Sequence, residues 1–382
     1  MLWAKALLTL SVIGLVYIYA GYPLLVALIA RCRPRPVRKG DRLPDVTILI
    51  AAHNEAESIE ATIRNKLELD YPPEKLQVRV ISDGSTDGTD EIVRGLSSSR
   101  VRLIRQESRG GKTLALNRGI VETDSEIVVF ADANSLHAPD ALRALVANFV
   151  DPEVGYVTGK MIYTDESGSP VGDGCSAYMR YENLLRRLET QAGSIVGVDG
   201  GVDAIRRGLY EPMREDQLPD FVLPLKVTAA GYRVVFEPEA LLREPSLDRA
   251  GDEYRMRVRV SLRALWALHD MRRLLNPFRH GLFAWQLFSH KVLRYAAFLF
   301  LSVALLANSM LWDAGLFWRV VLVAQIAAYV AALCSWLLER IGKRIRLFYL
   351  PHYFTLINLA AAHAFFKYLL GRKQVLWTPR KG

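Results

Sequence analysis

The sequence predicts a doubly wound α/β domain flanked by transmembrane helices, and three observations predict it. Between Asp45 and about Ala240, short runs rich in β-branched residues alternate with helical stretches, the pattern of a sheet covered by helices on both faces. From Leu2 to Ala30 only Lys5 is charged, and about 20 such residues suffice to cross a bilayer. Three more apolar stretches, Tyr295–Trp312, Leu316–Leu338 and Phe348–Leu370, follow the domain. The chain of 382 residues is long enough for this division. It reads as a membrane helix over residues 1–30, an α/β domain over 44–245, a basic interface segment over 251–290 and a membrane region of about three spans over 291–371.

The first apolar stretch is followed by Arg31, Arg33, Arg35, Arg38 and Lys39, which by the positive-inside rule places the domain in the cytoplasm of an inner or plasma membrane. A cleaved signal peptide is disfavoured, because the stretch is too long and its positive charges lie on the wrong side. At the other end, Arg340, Lys343, Arg344 and Arg346 read as a second cytoplasmic loop. Three spans after the domain would leave the C-terminus outside, whereas Arg372, Lys373, Arg380 and Lys381 favour the inside. The last stretch, with Pro351, His352, Asn358 and His363, is alternatively interfacial or re-entrant.

Within the domain the expected strands are Val46–Ala52, Gln77–Ser82, Val101–Arg105, Ile127–Phe130 and Tyr156–Ile162. The helices between them fall near Ala56–Leu69, Thr89–Leu96, Lys112–Glu122 and Pro139–Phe149. Right-handed crossovers bring the loops after Ala52, Ser82 and Phe130 to one rim, where open α/β sheets collect ligands. Each loop is polar: His53-Asn54-Glu55, Asp83-Gly84-Ser85-Thr86-Asp87-Gly88-Thr89 and Asp132-Ala133-Asn134. From Glu253 to Arg273, arginines including Arg257, Arg259 and Arg263 interleave with Val258, Leu262, Leu265, Trp266 and Leu268, a basic amphipathic segment suited to a membrane surface.

The net charge of +9 is concentrated beside apolar spans and in this segment, so anionic lipids, not nucleic acid, are the expected partners. Cys32, Cys175 and Cys334 are scattered, and suggest neither a disulfide framework nor a zinc site.

Asp132 and Asn134 after a strand offer hard oxygen ligands to Mg²⁺ or Mn²⁺, ions that keep few protein ligands and share a diphosphate. The alternative is a capped turn before the next helix. Asp83 can accept from a base or ribose, or its loop can be a turn capped by Asp87 or Thr89. Lys112, after Gly110-Gly111, is placed to meet a phosphate or to sit solvated at a helix start.

Together, Val46–Glu55, the Asp83–Thr89 loop, Gly111-Lys112-Thr113-Leu114-Ala115-Leu116-Asn117 and Ala131-Asp132-Ala133-Asn134 resemble family 2 glycosyltransferases of the GT-A fold, of the membrane-integrated type that builds exopolysaccharides. The resemblance covers roughly Pro44 to Ala240. It implies an inverting enzyme that moves a sugar from a nucleotide-diphosphate sugar, with a UDP-sugar the expected donor, to a lipid-linked or polysaccharide acceptor. By the family's pattern Glu55, Asp83 and Lys112 bind the nucleotide sugar, and Asp132 holds Mg²⁺ or Mn²⁺. Asn134 stands where the usual pattern has a second carboxylate. The catalytic base precedes a strand like Gly231-Tyr232-Arg233-Val234-Val235 by about a helix length, which selects Asp220 over Asp216. Pro219 replaces that base's usual acidic neighbour, and Phe221–Ala230 reads as a helix that Asp220 would otherwise cap.

Gly197–Arg207 resembles the acceptor-side loop. Processive members carry Gln-x-x-Arg-Trp; here Met256-Arg257-Val258-Arg259-Val260 keeps only the arginine, as Arg259, expected at the diphosphate. Ser289-His290-Lys291-Val292-Leu293-Arg294 also resembles a family element, and reads equally as a charged interface anchor. Other readings are a processive synthase, a catalytically impaired sugar-nucleotide scaffold, a nucleotidyltransferase and a transporter. The nucleotidyltransferase is disfavoured by Ala51-Ala52-His53-Asn54-Glu55, where it needs a basic glycine-rich loop. The transporter is disfavoured by the scarcity of ionisable residues in the spans.

Overall fold

The computed structural model describes residues 1–164, 170–245, 250–340 and 348–374. Lys343, Arg344, Arg346, Arg380 and Lys381, which bear on the expected topology, lie outside them. Eight strands form one sheet: β1 Val46–Ala52, β2 Leu76–Asp83, β3 Val101–Gln106, β4 Ile127–Asp132, β5 Leu136–His137, β6 Val154–Thr164, β7 Asp203–Arg206 and β8 Arg233–Pro245, in the order β3-β2-β1-β4-β7-β6-β8-β5. The first four are parallel, and β1 is buried along its whole length, as a strand covered on both faces must be. Beyond β4 the sheet turns mixed: β7 runs antiparallel to β4 and β6, while β6 and β8 are parallel. The doubly wound reading therefore describes the parallel half of a mixed sheet. Within the stretch read as an acceptor-side loop, Asp203–Arg206 is a strand, too short and too close to its glycines to show a period.

Alternation along the strands sorts the core. Ile48, Ile50, Val78, Val80 and Val129 face Ile63, Leu142 and Leu145 on one side. Leu49, Ile81, Val128 and Phe130 face Leu116, Ile120 and Phe221 on the other. Each such burial stabilises by roughly 1.5–3 kcal/mol, which fixes strand register and hence which residues reach the rim. Ala51 stands opposite Asp132 and Ala52 opposite Ser82, so the loops after β1, β2 and β4 emerge together.

Among the described residues two helices are long and apolar enough to cross a membrane, Leu2–Cys32 and Leu316–Glu339, and the chain is a membrane protein on that ground. Pro277–Tyr295 and Ala297–Ser309 form a pair bent by 54°, a broken span or a re-entrant element. Leu7, Leu10, Ile13, Val320, Val323 and Leu333 project from the two long helices with nothing packed over them.

The helix Ala250–Asp270 is the segment read as lying on a bilayer surface. Its apolar residues are covered by protein instead: Val258 and Leu262 pack on Ala360 and Ala364 of the helix Tyr349–Leu369, and Ala264, Ala267 and Leu268 join the second core. A basic amphipathic pattern specifies an apolar face but not its partner. After Leu369 the chain returns to this helix, where the Trp266 indole donates to the Arg372 carbonyl at 2.8 Å and Lys373 pairs with Asp216.

Candidate active site

The loops after β1 and β2 brace each other. The His53 ring nitrogen Nδ1 lies 2.7 Å from the Asp83 carbonyl oxygen, and the Asn54 side-chain oxygen accepts from the Thr86 amide at 2.8 Å. Asp87 caps locally, accepting from the amides of Ala56 at 3.0 Å and Thr89 at 3.1 Å. Asp83 is completely buried, and its two carboxylate oxygens accept from the amides of Gly110 at 2.6 Å and Gly111 at 2.8 Å. It thereby fixes the turn from which Lys112 opens the helix Lys112–Val121.

Lys112 is the centre of the constellation. Its ammonium lies 2.7 Å from Asp132 Oδ1 and 3.5 Å from Asp220 Oδ1. Burial disfavours its charge, but Asp132 and Asp220 outweigh that and hold its pKa above the ordinary lysine value. Asp220 lies in the first turn of the helix Pro219–Ala229, with Pro219 at a position where its missing N–H costs nothing. Burial raises the Asp220 pKa, Lys112 lowers it and Asp132 raises it again. Its side chain keeps 27% of its surface open, so an incoming hydroxyl can reach it. Beneath it Asp203 is fully buried beside Tyr156 and Thr158, and burial, then the charge of Asp220, push its carboxyl up to about 7.

Lys112, Asp132 and Asp220 face a cavity of about 190 Å³. Of the residues the sequence marked, Glu55, Lys112, Asp132, Asn134, Asp220 and Arg259 line it; Asp83 does not, because it stands behind the Gly110-Gly111 turn. Burial raises the Glu55 carboxyl pKa, and its Ser58 hydrogen bond opposes that. Asp216, the reserve candidate for the base, points away and pairs with Arg214 at 3.1 Å and with Lys373. Met256, Arg259, Val260 and Arg263 form the wall contributed by the helix Ala250–Asp270.

Three charged cavity residues escaped sequence reasoning as site residues: Asp199, Glu244 and Arg263. Arg263 was legible only as one arginine among many. It donates to the Gln217 carbonyl just before Asp220, and burial lowers its pKa to about 10. Glu244 comes from the far end of β8 and had no motif to mark it. Gly200 and Gly201, with φ of +81° and +76°, let the backbone pass beneath these carboxylates. A Cβ on Gly200 would meet the Asp220 carboxyl carbon at 2.8 Å.

The Asp132 loop is held from below. Lys66, fully buried, donates to the Ser135 carbonyl at 2.7 Å, and burial pulls its pKa down to about 7 against the attraction of Asp132. His137 Nε2 lies 2.8 Å from the Gly201 carbonyl oxygen, joining this loop to the glycine turn.

The donor set fits a divalent ion that shares its shell with a diphosphate. Asp132 Oδ2 and Glu244 Oε1 both lie within 4 Å of one point above Gly201, and the Asn134 side chain lines the same space. No group of three His, Cys, Asp or Glu among the described residues is gathered tightly enough to cage a metal alone. Few protein oxygens with room for phosphate is the Mg²⁺ or Mn²⁺ arrangement, not the zinc one.

A mixed sheet with its acidic and basic side chains at the rim of the parallel half is the GT-A fold. Residues 47–211 match the family model described as glycosyl transferase family 2. It is 28% identical over 274 residues to a poly-beta-1,6-N-acetyl-D-glucosamine synthase of Staphylococcus aureus (strain COL), an alignment covering 70% of this chain and 63% of that protein. The synthase of the same name in Staphylococcus epidermidis is 26% identical over 242 residues, covering 60% and 58%. The chain thus spans less than two thirds of the length of these relatives. In fold it is similar to the mannosyltransferase PcManGT of Pyrobaculum calidifontis, solved with GDP-Man and Mn²⁺, with a TM-score of 0.74 and 24% identity over 96% of this chain and 99% of that one.

Proposed function

We propose that the protein transfers a sugar from a nucleotide-diphosphate sugar to a membrane-tethered saccharide or polysaccharide acceptor at the cytoplasmic face, with inversion, in exopolysaccharide or cell-envelope synthesis. The observation that carries the reading is Asp220 facing Lys112 and Asp132 across one cavity. Asp220 takes the proton of the acceptor hydroxyl as that oxygen attacks the anomeric carbon. Its raised pKa makes it a better base than an ordinary carboxylate, and the charge of Lys112 opposes that rise. Asp132 and Asn134 would hold Mg²⁺ or Mn²⁺, which when bound neutralises charge on the departing diphosphate. Lys112, Arg259 and Arg263 add fixed positive charge on that side of the cavity. Asp83 serves the nucleotide side by fixing the turn before Lys112, and Glu55 closes the cavity beside it.

The likeness to polysaccharide synthases supports an acceptor that is itself a saccharide. Met256 and Val260, standing where processive members have Gln and Trp, favour one or a few transfers over long-chain synthesis. The cytoplasmic orientation rests on Arg31, Arg33, Arg35, Arg38 and Lys39 after the first span. The test is a screen of nucleotide sugars with the full-length protein in membranes, read by mass spectrometry of lipid and polysaccharide products. A single added sugar is expected. A long homopolymer would establish a processive synthase, and absence of donor binding across UDP-, GDP- and TDP-sugars would overturn the proposal.

A further inference from the structure

A second cavity, of about 70 Å³, lies where the α/β domain meets the apolar helices. It adjoins the catalytic one, and Val260 lines both. Its wall carries Arg257, His290, Lys291 and Arg294 and no carboxylate. Their carboxylate partners stand outside the lining. Glu182 pairs with Arg294, His290 and Lys291, Glu189 lies 2.7 Å from His290 and Glu253 lies 2.7 Å from Arg257. The carboxylates pair with the bases from outside the lining, and because Glu189 and Glu182 take both His290 ring nitrogens, Lys291 and Arg294 are the cationic donors offered to the cavity by that segment. Tyr19, Tyr178, Ser261 and Asn358 add neutral hydrogen-bonding groups.

Two features show that the cavity is built and not left over. The chain contains π-helical turns at Tyr17–Gly21 and Phe288–Val292, and they are joined to each other by the Tyr17 and Ser289 hydroxyls at 2.7 Å. Both open onto this cavity, the first through Tyr19 and the second through His290 and Lys291. Single π turns are uncommon and gather at functional sites. Gly197 supplies the second feature, since a Cβ there would lie 2.6 Å from Lys291 Nζ. The lysine head rests on the loop that three residues later passes under Asp220. That separation is at most about 11 Å of chain, so the two sites are neighbours.

We propose that this cavity binds the phosphoryl group of a membrane-borne lipid phosphate, the carrier of the acceptor, and sets the acceptor hydroxyl toward Asp220. Phosphate suits a concave cluster of Lys, Arg and hydroxyl donors with no carboxylate facing it. A hydrocarbon chain suits the exit, because Ile357 and Ala361 on the wall belong to a helix whose Leu359 and Phe366 stay exposed. The inference rests on the glycosyltransferase reading above and adds to it a specific subsite.

The test uses the full-length protein in nanodiscs of zwitterionic lipid, with binding measured by native mass spectrometry and a nucleotide-sugar binding assay run in parallel. An isoprenyl monophosphate should bind, and the matching isoprenol should not. Lys291→Met should weaken the phosphate at least tenfold, and Ser261→Ala about threefold, the size of one hydrogen bond. The second variant serves where the first fails to fold. Equal binding of isoprenol, equal binding of phosphatidylglycerol or inorganic phosphate, or unchanged affinity in folded variants would each overturn the proposal. Loss of the lipid arm with donor binding intact would sink this inference alone. Loss of donor binding in the unmodified protein would sink the reading beneath it.

Discussion

The two cavities share a wall, yet one mixes carboxylates with bases and the other is lined by bases without a carboxylate, and part of the difference is written into the spacing of one helix. Met256, Arg259, Val260 and Arg263 recur at three- and four-residue steps and face the catalytic cavity. Arg257, Val260 and Ser261 recur the same way and face the second. Arg257 and Arg259 are two residues apart, about 200° around the helix, so neighbouring arginines serve different sites. In the catalytic cavity Asp132, Asp220 and Glu244 line the wall, and the charge of Asp132 adds to burial in raising the Asp220 pKa. In the other the carboxylates stand outside the lining and pair with the bases from there. A chain dense in arginine can thus build two chemically distinct pockets by rotation alone.

The comparison breaks first at Asp220. Asp220→Asn should lower kcat by about 10³ with the donor KM little changed, because only the proton acceptor is lost; steady-state transfer kinetics would check this, and a fall below tenfold would remove Asp220 from the role. Asp132→Ala should cost about 10² in turnover and raise the Mn²⁺ concentration needed for half-maximal rate. A metal titration measures both. Gly200→Ala puts a methyl against the Asp220 carboxyl at a backbone angle that only glycine favours, and should destabilise by about 2 kcal/mol, read as a fall in Tm.

The buried acid beneath the base gives a pH signature. Asp203 titrates near 7 when folded against an ordinary 3.8, so the folded protein holds a proton there that the unfolded chain has released. Its contribution to stability is complete below 3.8 and is lost as pH rises through 7. Thermal unfolding of Asp203→Asn should therefore lack a decline between pH 4 and 7 that the parent shows. Smallest of all, Asp216→Asn should change transfer less than about twofold, the scale of a surface ion pair.

The rim residues were legible because parallel α/β strands deliver their loops to one edge. A carboxylate or lysine after a β-rich run is near the site before any contact is known; Glu55, Lys112 and Asp220 lie in the first turn or loop after an element boundary, and Asp132 ends β4. Asp83 shows the limit of that logic: it ends a strand at that edge, but the inward turn of its carboxylate to Gly110 and Gly111 depends on a loop 27 residues away. Glu244 was hidden by register. β8 reaches the rim from the opposite end of the sheet, with irregular pairing to β6 on the way. Lys291 and Arg294 looked like a charged interface anchor because their counter-ion, Glu182, sits on a helix, Pro170–Ala192, to which sequence reasoning assigned no element.

The return of the chain to Trp266 and Asp216 has a practical consequence for where a label can be read. Residues 372 and 373 are bound to the same body as the donor cavity, so the polypeptide must recross whatever it crosses between Asp270 and that point. A fluorescent or epitope tag inserted after residue 374 should report from the nucleotide-sugar side of the bilayer, and one placed before Leu2 from the opposite side.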